Sequence, residues 1–244
     1  MPFEAAYLSV PERAELMNFR YRNHSAVPVL TGALNDRSNG DIALVSSFGA
    51  ESVVLLHLVA TIKPDTPVIM IDTEMLFPET LEYQAEVSRK LGLTDVRVIR
   101  ADAGRVAERD PDGTLHVSDP DACCGLRKTR PLQDALAEFD GWITGHKRFQ
   151  NGTRTALEFF EAETETRMKI NPLAHWRAED VNAYLENNAL PRHPLVSKGY
   201  PSIGCAPCTS PVVEGEDPRS GRWRGQDKVE CGIHFGADGA VVRG

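Results

Sequence analysis

The chain has 244 residues, 41% of them apolar and 25% charged, and 27 Lys and Arg against 35 Asp and Glu leave a net charge of −8. That composition builds a real core and excludes a disordered chain, while the acidic balance argues against indiscriminate nucleic-acid binding and leaves room for a local basic pocket. No apolar run approaches the roughly 18 residues of a membrane span, and the opening Met-Pro-Phe-Glu-Ala-Ala lacks the basic-then-apolar pattern of an export signal, which points to the cytoplasm.

Residues 1–40 read as a helical preface. Ala14, Met17 and Tyr21 recur at helical spacing, and Ser9 with Glu12 three positions later fits a capping box. From Asp41 strands alternate with helices. Ile42 to Val45 is a short apolar strand, Val53 to Ile62 a buried helix, and Thr66 to Ile71 a second strand. Pro78 to Leu91 is an amphipathic helix closed by Gly92, and Asp95 to Arg100 is a third strand. This alternation predicts a parallel sheet with right-handed crossovers. Residues 101–121, rich in Asp, Gly and Pro, read as a loop. Cys123 to Phe139 reads as a helix that Pro131 bends or splits. Trp142 to Gly145 is a fourth strand, Ala156 to Pro172 contains a fifth, and Ala178 to Asn187 is a short helix. The α/β domain therefore spans 41–190. Residues 191–244, dominated by Pro, Gly and charges, read as a mobile tail carrying function.

Chemistry concentrates in four places. In Ser46-Ser47-Phe48-Gly49-Ala50-Glu51-Ser52, small and hydroxyl residues lie between a strand end and a helix start, where backbone N–H groups and a helix dipole can receive phosphate. An ordinary strand-to-helix turn explains the same residues. Glu51 must there point away from a phosphate or bind something else. Basic residues form three islands: Arg127, Lys128 and Arg130; His146, Lys147, Arg148 and Arg154; and Arg219, Arg222 and Arg224. Solvated faces account for any one of them, whereas three together suit a polyanionic ligand, because Arg forks match phosphate or sulfate oxygens.

The five cysteines form an odd set in a chain without an export signal, which disfavours a disulfide framework. Cys123-Cys124 and Cys205-Ala206-Pro207-Cys208, about 80 residues apart, can bring four thiolates to one centre. Zinc and a [4Fe–4S] cluster both accept four sulfurs. Adjacent helical side chains diverge by about 100°, which a cluster with four separate iron corners tolerates better than one tetrahedral ion. Simple burial and a redox disulfide are the competing explanations of the separate pairs. Lys128, four residues after Cys124, shares its face if the segment is helical. Cys231 is unpaired, flanked by Gly232 and polar residues, and followed by His234. It reads as a nucleophile whose thiolate His234 and the arginines would favour, or as an incidental exposed cysteine.

Lys228-x-Glu230-Cys231-Gly232-Ile233-His234 resembles the signature of the assimilatory sulfonucleotide reductases. The two cysteine pairs resemble the iron–sulfur subgroup, which usually reduces adenosine 5′-phosphosulfate. Further matches are Ser46 to Ser52, Ile71-Asp72-Thr73 with Leu76 to Thr80, Gly145 to Arg154, and Arg219 to Trp223, so the resemblance spans about residues 40 to 235.

The resemblance implies an α/β domain related to the PP-loop adenine nucleotide alpha hydrolases. It implies a [4Fe–4S] cluster on Cys123, Cys124, Cys205 and Cys208, with a structural and electrostatic role. Cys231 would attack the phosphosulfate, and thioredoxin would release sulfite from the adduct. Lys128, Arg154, Arg219, Arg222 and His234 would hold the phosphosulfate, with Ser46, Ser47 and Gly49 beside the nucleotide. Neither nucleic acid nor membrane is an expected partner, and a homo-oligomer is possible.

Two positions depart from the pattern. Ser47-Phe48-Gly49-Ala50-Glu51-Ser52 replaces the Ser-Gly-Gly-x-Asp-Ser of the pyrophosphatases, which disfavours ATP cleavage, and Glu74 stands where a glycine is expected. The alternatives are a reductase of the 3′-phosphorylated nucleotide, a PP-loop ATP pyrophosphatase, and a zinc-stabilised RNA-binding module. The cluster cysteines count against the first, the missing loop Asp against the second, and Cys231 with His234 against the third.

Overall fold

The computed structural model describes residues 8–150, 156–226 and 228. Ser9 opens helix α1 (Val10–Tyr21) through the expected capping box, in which its side chain caps Glu12 N–H and Glu12 reaches back to the Ser9 backbone. Helix α2 (Ala26–Asn35) completes the preface, and both pack their apolar faces into the main core.

The sheet contains β1 (Ile42–Val45), β2 (Val68–Ile71), β3 (Val96–Ile99), β4 (Gly141–Ile143), β5 (Phe160–Ala162) and β6 (Met168–Ile170), in the order β3-β2-β1-β4-β6-β5. All pairings are parallel except the antiparallel β5–β6 pair at one edge. The predicted fifth strand is thus two strands, a hairpin whose turn falls at Glu163 to Arg167. Alternation along β1 sends Leu44 to one face and Ala43 to the other. The first face is covered by α3 (Ser52–Ile62), α4 (Pro78–Leu91) and α9 (Ala178–Asn187). The second is covered by α8 (Arg130–Leu136) through Leu132 and Leu136. Gly92 closes α4 at φ 67°, a left-handed conformation that glycine adopts without penalty.

Residues 101–121 differ from the expected loop. They form α5 (Ala103–Arg109), α6 (Leu115–Ser118) and the start of α7 (Pro120–Cys124). The aspartates that suggest a loop act as caps: Asp102 accepts from Arg105 N–H, Asp110 from Leu115 N–H and Asp119 from Ala122 N–H. Contrary to expectation, Pro131 does not break the following helix: the backbone stays helical from Pro120 to Leu136, widened into a π turn over Gly125–Thr129 that joins α7 to α8.

Residues 191–226, expected to belong to a mobile tail, are packed onto the core. His193, Leu195, Ile203 and Trp223 are buried, Tyr83 donates to Pro191 O at 2.8 Å, and Leu76 pairs with Cys205 in an antiparallel bridge. Among the described residues no helix is long and apolar enough to cross a membrane.

Candidate active site

After β3 the chain crosses to the other side of β1 to make β4, so the connections reverse direction between these neighbours. Crevices at the carboxyl ends of strands at such a switch point are where open α/β sheets bind ligands. A cavity of about 520 Å³ lies there. It is lined by Ser46, Ser47 and Gly49 from the loop after β1, by all four paired cysteines, and by Lys128, Arg219 and Arg222.

The loop after β1 is held by its own hydroxyls. Phe48 N–H donates to Ser46 Oγ at 3.2 Å and Gly49 N–H to Ser52 Oγ at 3.0 Å. Phe48 is fully buried at φ 47°, a left-handed conformation that a glycine would hold at lower cost. A Cβ on Gly49 would lie a tight 3.3 Å from Ser47 Oγ within the loop and in ordinary contact, at 3.5 Å, with Ile203 O of the 191–226 segment. Glu51 has the partner its position demands. Its carboxylate accepts from Lys147 Nζ at 2.8 Å and from Gln150 Nε2 at 3.3 Å.

Opposite the loop, α7 and its π turn present Cys123 and Cys124. The Leu76–Cys205 bridge and the Ala206 N–H to Met75 O bond at 2.7 Å bring up Cys205 and Cys208. Thr73 Oγ1 lies 3.2 Å from Cys205 Sγ, and Trp223 N–H donates to Cys208 O at 3.0 Å. Burial pushes the Cys123 thiol up to about 12, and the neighbouring Cys124 and Cys205 add to the shift against the opposing Arg127. Among the described residues no group of three His, Cys, Asp or Glu side chains is arranged to hold a metal ion.

The three basic islands divide. Arg127 is buried and forks onto Asp110 at 2.9 and 3.1 Å, with a further bond to Thr73 O at 3.2 Å and Glu74 at 3.6 Å. Burial opposes ionisation of Asp110, but Leu115 N–H and Arg127 outweigh it and hold the carboxyl below its ordinary value. Lys147 is tied to Glu51, Arg148 to Leu157 O at 2.7 Å and Glu158 at 3.2 Å, and Arg224 to Glu216 at 2.8 Å. All four are committed to carboxylate partners, Arg127 and Lys147 within the cavity lining and Arg148 and Arg224 outside it. Lys128, Arg219 and Arg222 also line the cavity. The Arg222 guanidinium lies 4.5 Å from the Trp223 ring centroid and over Gly204, where a Cβ would come within 2.2 Å of it. Glu74, where a glycine is expected, takes φ 60° and anchors its N–H on Asp72 at 2.9 Å. Arg154, Cys231 and His234 lie outside the described residues.

Sequence reasoning missed the partners that hold these groups: Thr73 beside Cys205, Lys147 for Glu51, and Asp110 for Arg127. Only Glu51 gave a signal, as a carboxylate in need of a cation.

Residues 41–211 match the phosphoadenosine phosphosulfate reductase domain family. An adenosine 5′-phosphosulfate reductase of Mesorhizobium japonicum is 47% identical over 226 residues, covering 93% of this chain and 89% of the relative. Among solved structures, a phosphoadenylyl-sulfate reductase from Candida auris in a phosphate complex aligns with a TM-score of 0.70 at 28% identity, over 82% of this chain and 97% of that one. Yeast FAD synthetase in complex with FAD, 18% identical with a TM-score of 0.52 over 84% of this chain and 77% of its own, shares the fold alone. With most of its length matched at this level and its cavity at the sheet's switch point, the chain belongs to the phosphoadenosine phosphosulfate reductase family.

Proposed function

We propose that the chain reduces adenosine 5′-phosphosulfate to sulfite and AMP in sulfate assimilation, with thioredoxin as reductant and Cys231 as nucleophile. The observation that carries this reading is the single cavity that sets a hydroxyl-rich loop facing a wall of four cysteines, with Lys128, Arg219 and Arg222 in its lining. The nucleoside lies against Ser46, Ser47 and Gly49, and the phosphosulfate faces the three cations together with Arg154 and His234.

The Cys231 thiolate attacks the sulfur of the phosphosulfate. The sulfur–oxygen bond to phosphate breaks, AMP leaves with the electron pair, and the enzyme carries an S-sulfocysteine. A thiolate approaching a sulfonate meets like charge, which Lys128 and the arginines offset. A thioredoxin thiolate then attacks the Cys231 sulfur and sulfite departs with the bonding electrons. The second thioredoxin thiol resolves the mixed disulfide, which leaves oxidised thioredoxin and free Cys231.

Cys123, Cys124, Cys205 and Cys208 suit a [4Fe–4S] cluster by their chemistry. Four soft sulfur donors share one cavity wall, the donor set that soft and borderline metals select. When bound, such a group supplies structural cohesion and local charge. Thr73 positions Cys205, and the Asp110–Arg127 pair braces the Cys123–Cys124 helix from beneath.

The two sulfonucleotides, with and without the 3′-phosphate, are assayed side by side with thioredoxin. Preferential sulfite release from adenosine 5′-phosphosulfate is expected, and preference for the 3′-phosphorylated nucleotide would transfer the chain to the other substrate. Cys231→Ser abolishes sulfite formation, and substrate added without reductant leaves a sulfite-sized adduct on the Cys231 peptide by mass spectrometry. An adduct on Cys205 instead would overturn the assignment of the nucleophile.

A further inference from the structure

The helix that presents Cys123 and Cys124 to the cavity has a second feature on a separate groove. Arg100, Arg105, Arg109 and Arg130 rim that groove, against Asp102 and Asp134, and Ile99, Leu126 and Pro131 contribute apolar surface to it. Arg105 and Arg109 stand one helical turn apart on α5, both exposed, and among the described residues neither guanidinium is tied to a carboxylate. Arg100 is paired with Asp72 at 2.9 Å and Arg130 with Asp134 at 3.1 Å, so Arg105 and Arg109 are the pair that gives the groove its positive charge.

Gly125 also lines this groove and does not line the cavity. Its backbone is ordinarily helical, φ −57° and ψ −48°, so conformation does not call for glycine. A Cβ there would meet nothing within 4 Å, so packing inside the chain does not call for it either. Glycine weakens a helix interior. The open space over Gly125 leaves room for a surface from outside the chain to come close.

The place is also close to where the chain enters its reactive segment. Lys228 pairs with Asp121 in the first turn of α7, four residues before Gly125. Cys231 follows Lys228 by three residues, at most about 11 Å of extended chain. A protein that exchanges thiols with Cys231 therefore has to approach the neighbourhood of α7.

We propose that the arginine-rimmed groove at Gly125 is a docking site for the protein reductant, through an acidic rim and an apolar contact beside its reactive dithiol. This rests on the functional reading above. An acidic enzyme repels an acidic partner at long range, and a local arginine cluster supplies the attraction that steers and orients the encounter.

The test uses the full chain with its cofactor, thioredoxin as reductant, and the double variant Arg105→Glu/Arg109→Glu. The expected result is a rise of about tenfold or more in KM for thioredoxin and a flattened salt dependence of kcat/KM. Single-turnover adduct formation from substrate alone should stay within about twofold of the original protein. Gly125→Leu, which fills the groove floor, should raise the same KM with the adduct step intact. An unchanged KM for thioredoxin in both variants would sink the proposal. If charge reversal instead converts an oligomer to monomers in sedimentation, the groove joins copies of this chain and the reductant assignment is wrong. Absence of any adduct in the original protein would overturn the functional reading itself, a result distinct from a normal adduct with an unaltered thioredoxin KM.

Discussion

Glu51 and Lys147, 96 residues apart in sequence, meet at 2.8 Å at the mouth of α3, and only 3% of the lysine side chain is exposed. The carboxylate thereby commits a buried ammonium beside the loop after β1, and Gly145 O takes a second of its hydrogens at 3.2 Å. Losing one partner of a buried pair costs about 3–5 kcal/mol, and because Glu51 is a third exposed the loss here is smaller, about 1–2 kcal/mol. Glu51→Gln is expected to lower unfolding stability by that amount in urea titration.

Gly204 keeps space for the Arg222 guanidinium, since a Cβ would come within 2.2 Å of Nη2 and 2.5 Å of Cζ. Gly204→Ala should displace that cation with little effect on the fold, because the neighbour that gives way is the end of a long side chain. KM for the sulfonucleotide should rise about tenfold, corresponding to roughly 1.4 kcal/mol of lost binding. Steady-state kinetics at saturating thioredoxin provide the check.

His193 ties the 191–226 segment to α4. Its Nε2 lies 3.1 Å from Thr80 Oγ1, its Nδ1 accepts from Leu195 N–H at 3.2 Å, and its ring packs on Tyr83 at 4.8 Å. Burial lowers its pKa to about 4, with Glu79 opposing weakly. The unfolded chain then binds a proton below about pH 6.5 that the folded chain refuses until about pH 4, so stability falls as pH drops through that window. Between pH 7 and pH 5 the loss from this group is about 2 kcal/mol. Urea unfolding at the two pH values should show a smaller difference in His193→Gln than in the original protein.

Cys124→Ser and Cys205→Ser should each lose visible absorption and iron after anaerobic purification, whereas Cys231→Ser should retain about four irons per chain. Elemental analysis decides the point. One zinc and no colour in the original protein would remove the cluster from the proposal.

What could be read from the sequence was local. The β1 strand and the helices from Pro78 and Ala178 have the predicted boundaries, because each carries its own period and its own stop signal. The 101–121 segment was illegible because caps and loops use the same residue, aspartate, and only the helix N–H groups it serves tell them apart. In the cavity, the cysteines and the serine loop stood out by residue type. Lys147 stood out only as one of a basic island and Thr73 only within a matched segment, and Asp110 not at all, since each acquires its role from a partner 17 to 132 residues away. Phe48 and Glu74 mark two places where glycine would be at ease and another residue is held at positive φ by its surroundings.

The bridge between Leu76 and Cys205 also sets a timetable. Three strands, their helices and the Cys123–Cys124 pair leave the ribosome long before Cys205 and Cys208 exist. The later stretch then returns to the loop after β2 to complete the wall. Among the described residues the cysteine wall is therefore completed by a segment synthesised after all six strands. A chain truncated anywhere before Cys208 carries only part of this cysteine set, however much of its sheet it folds.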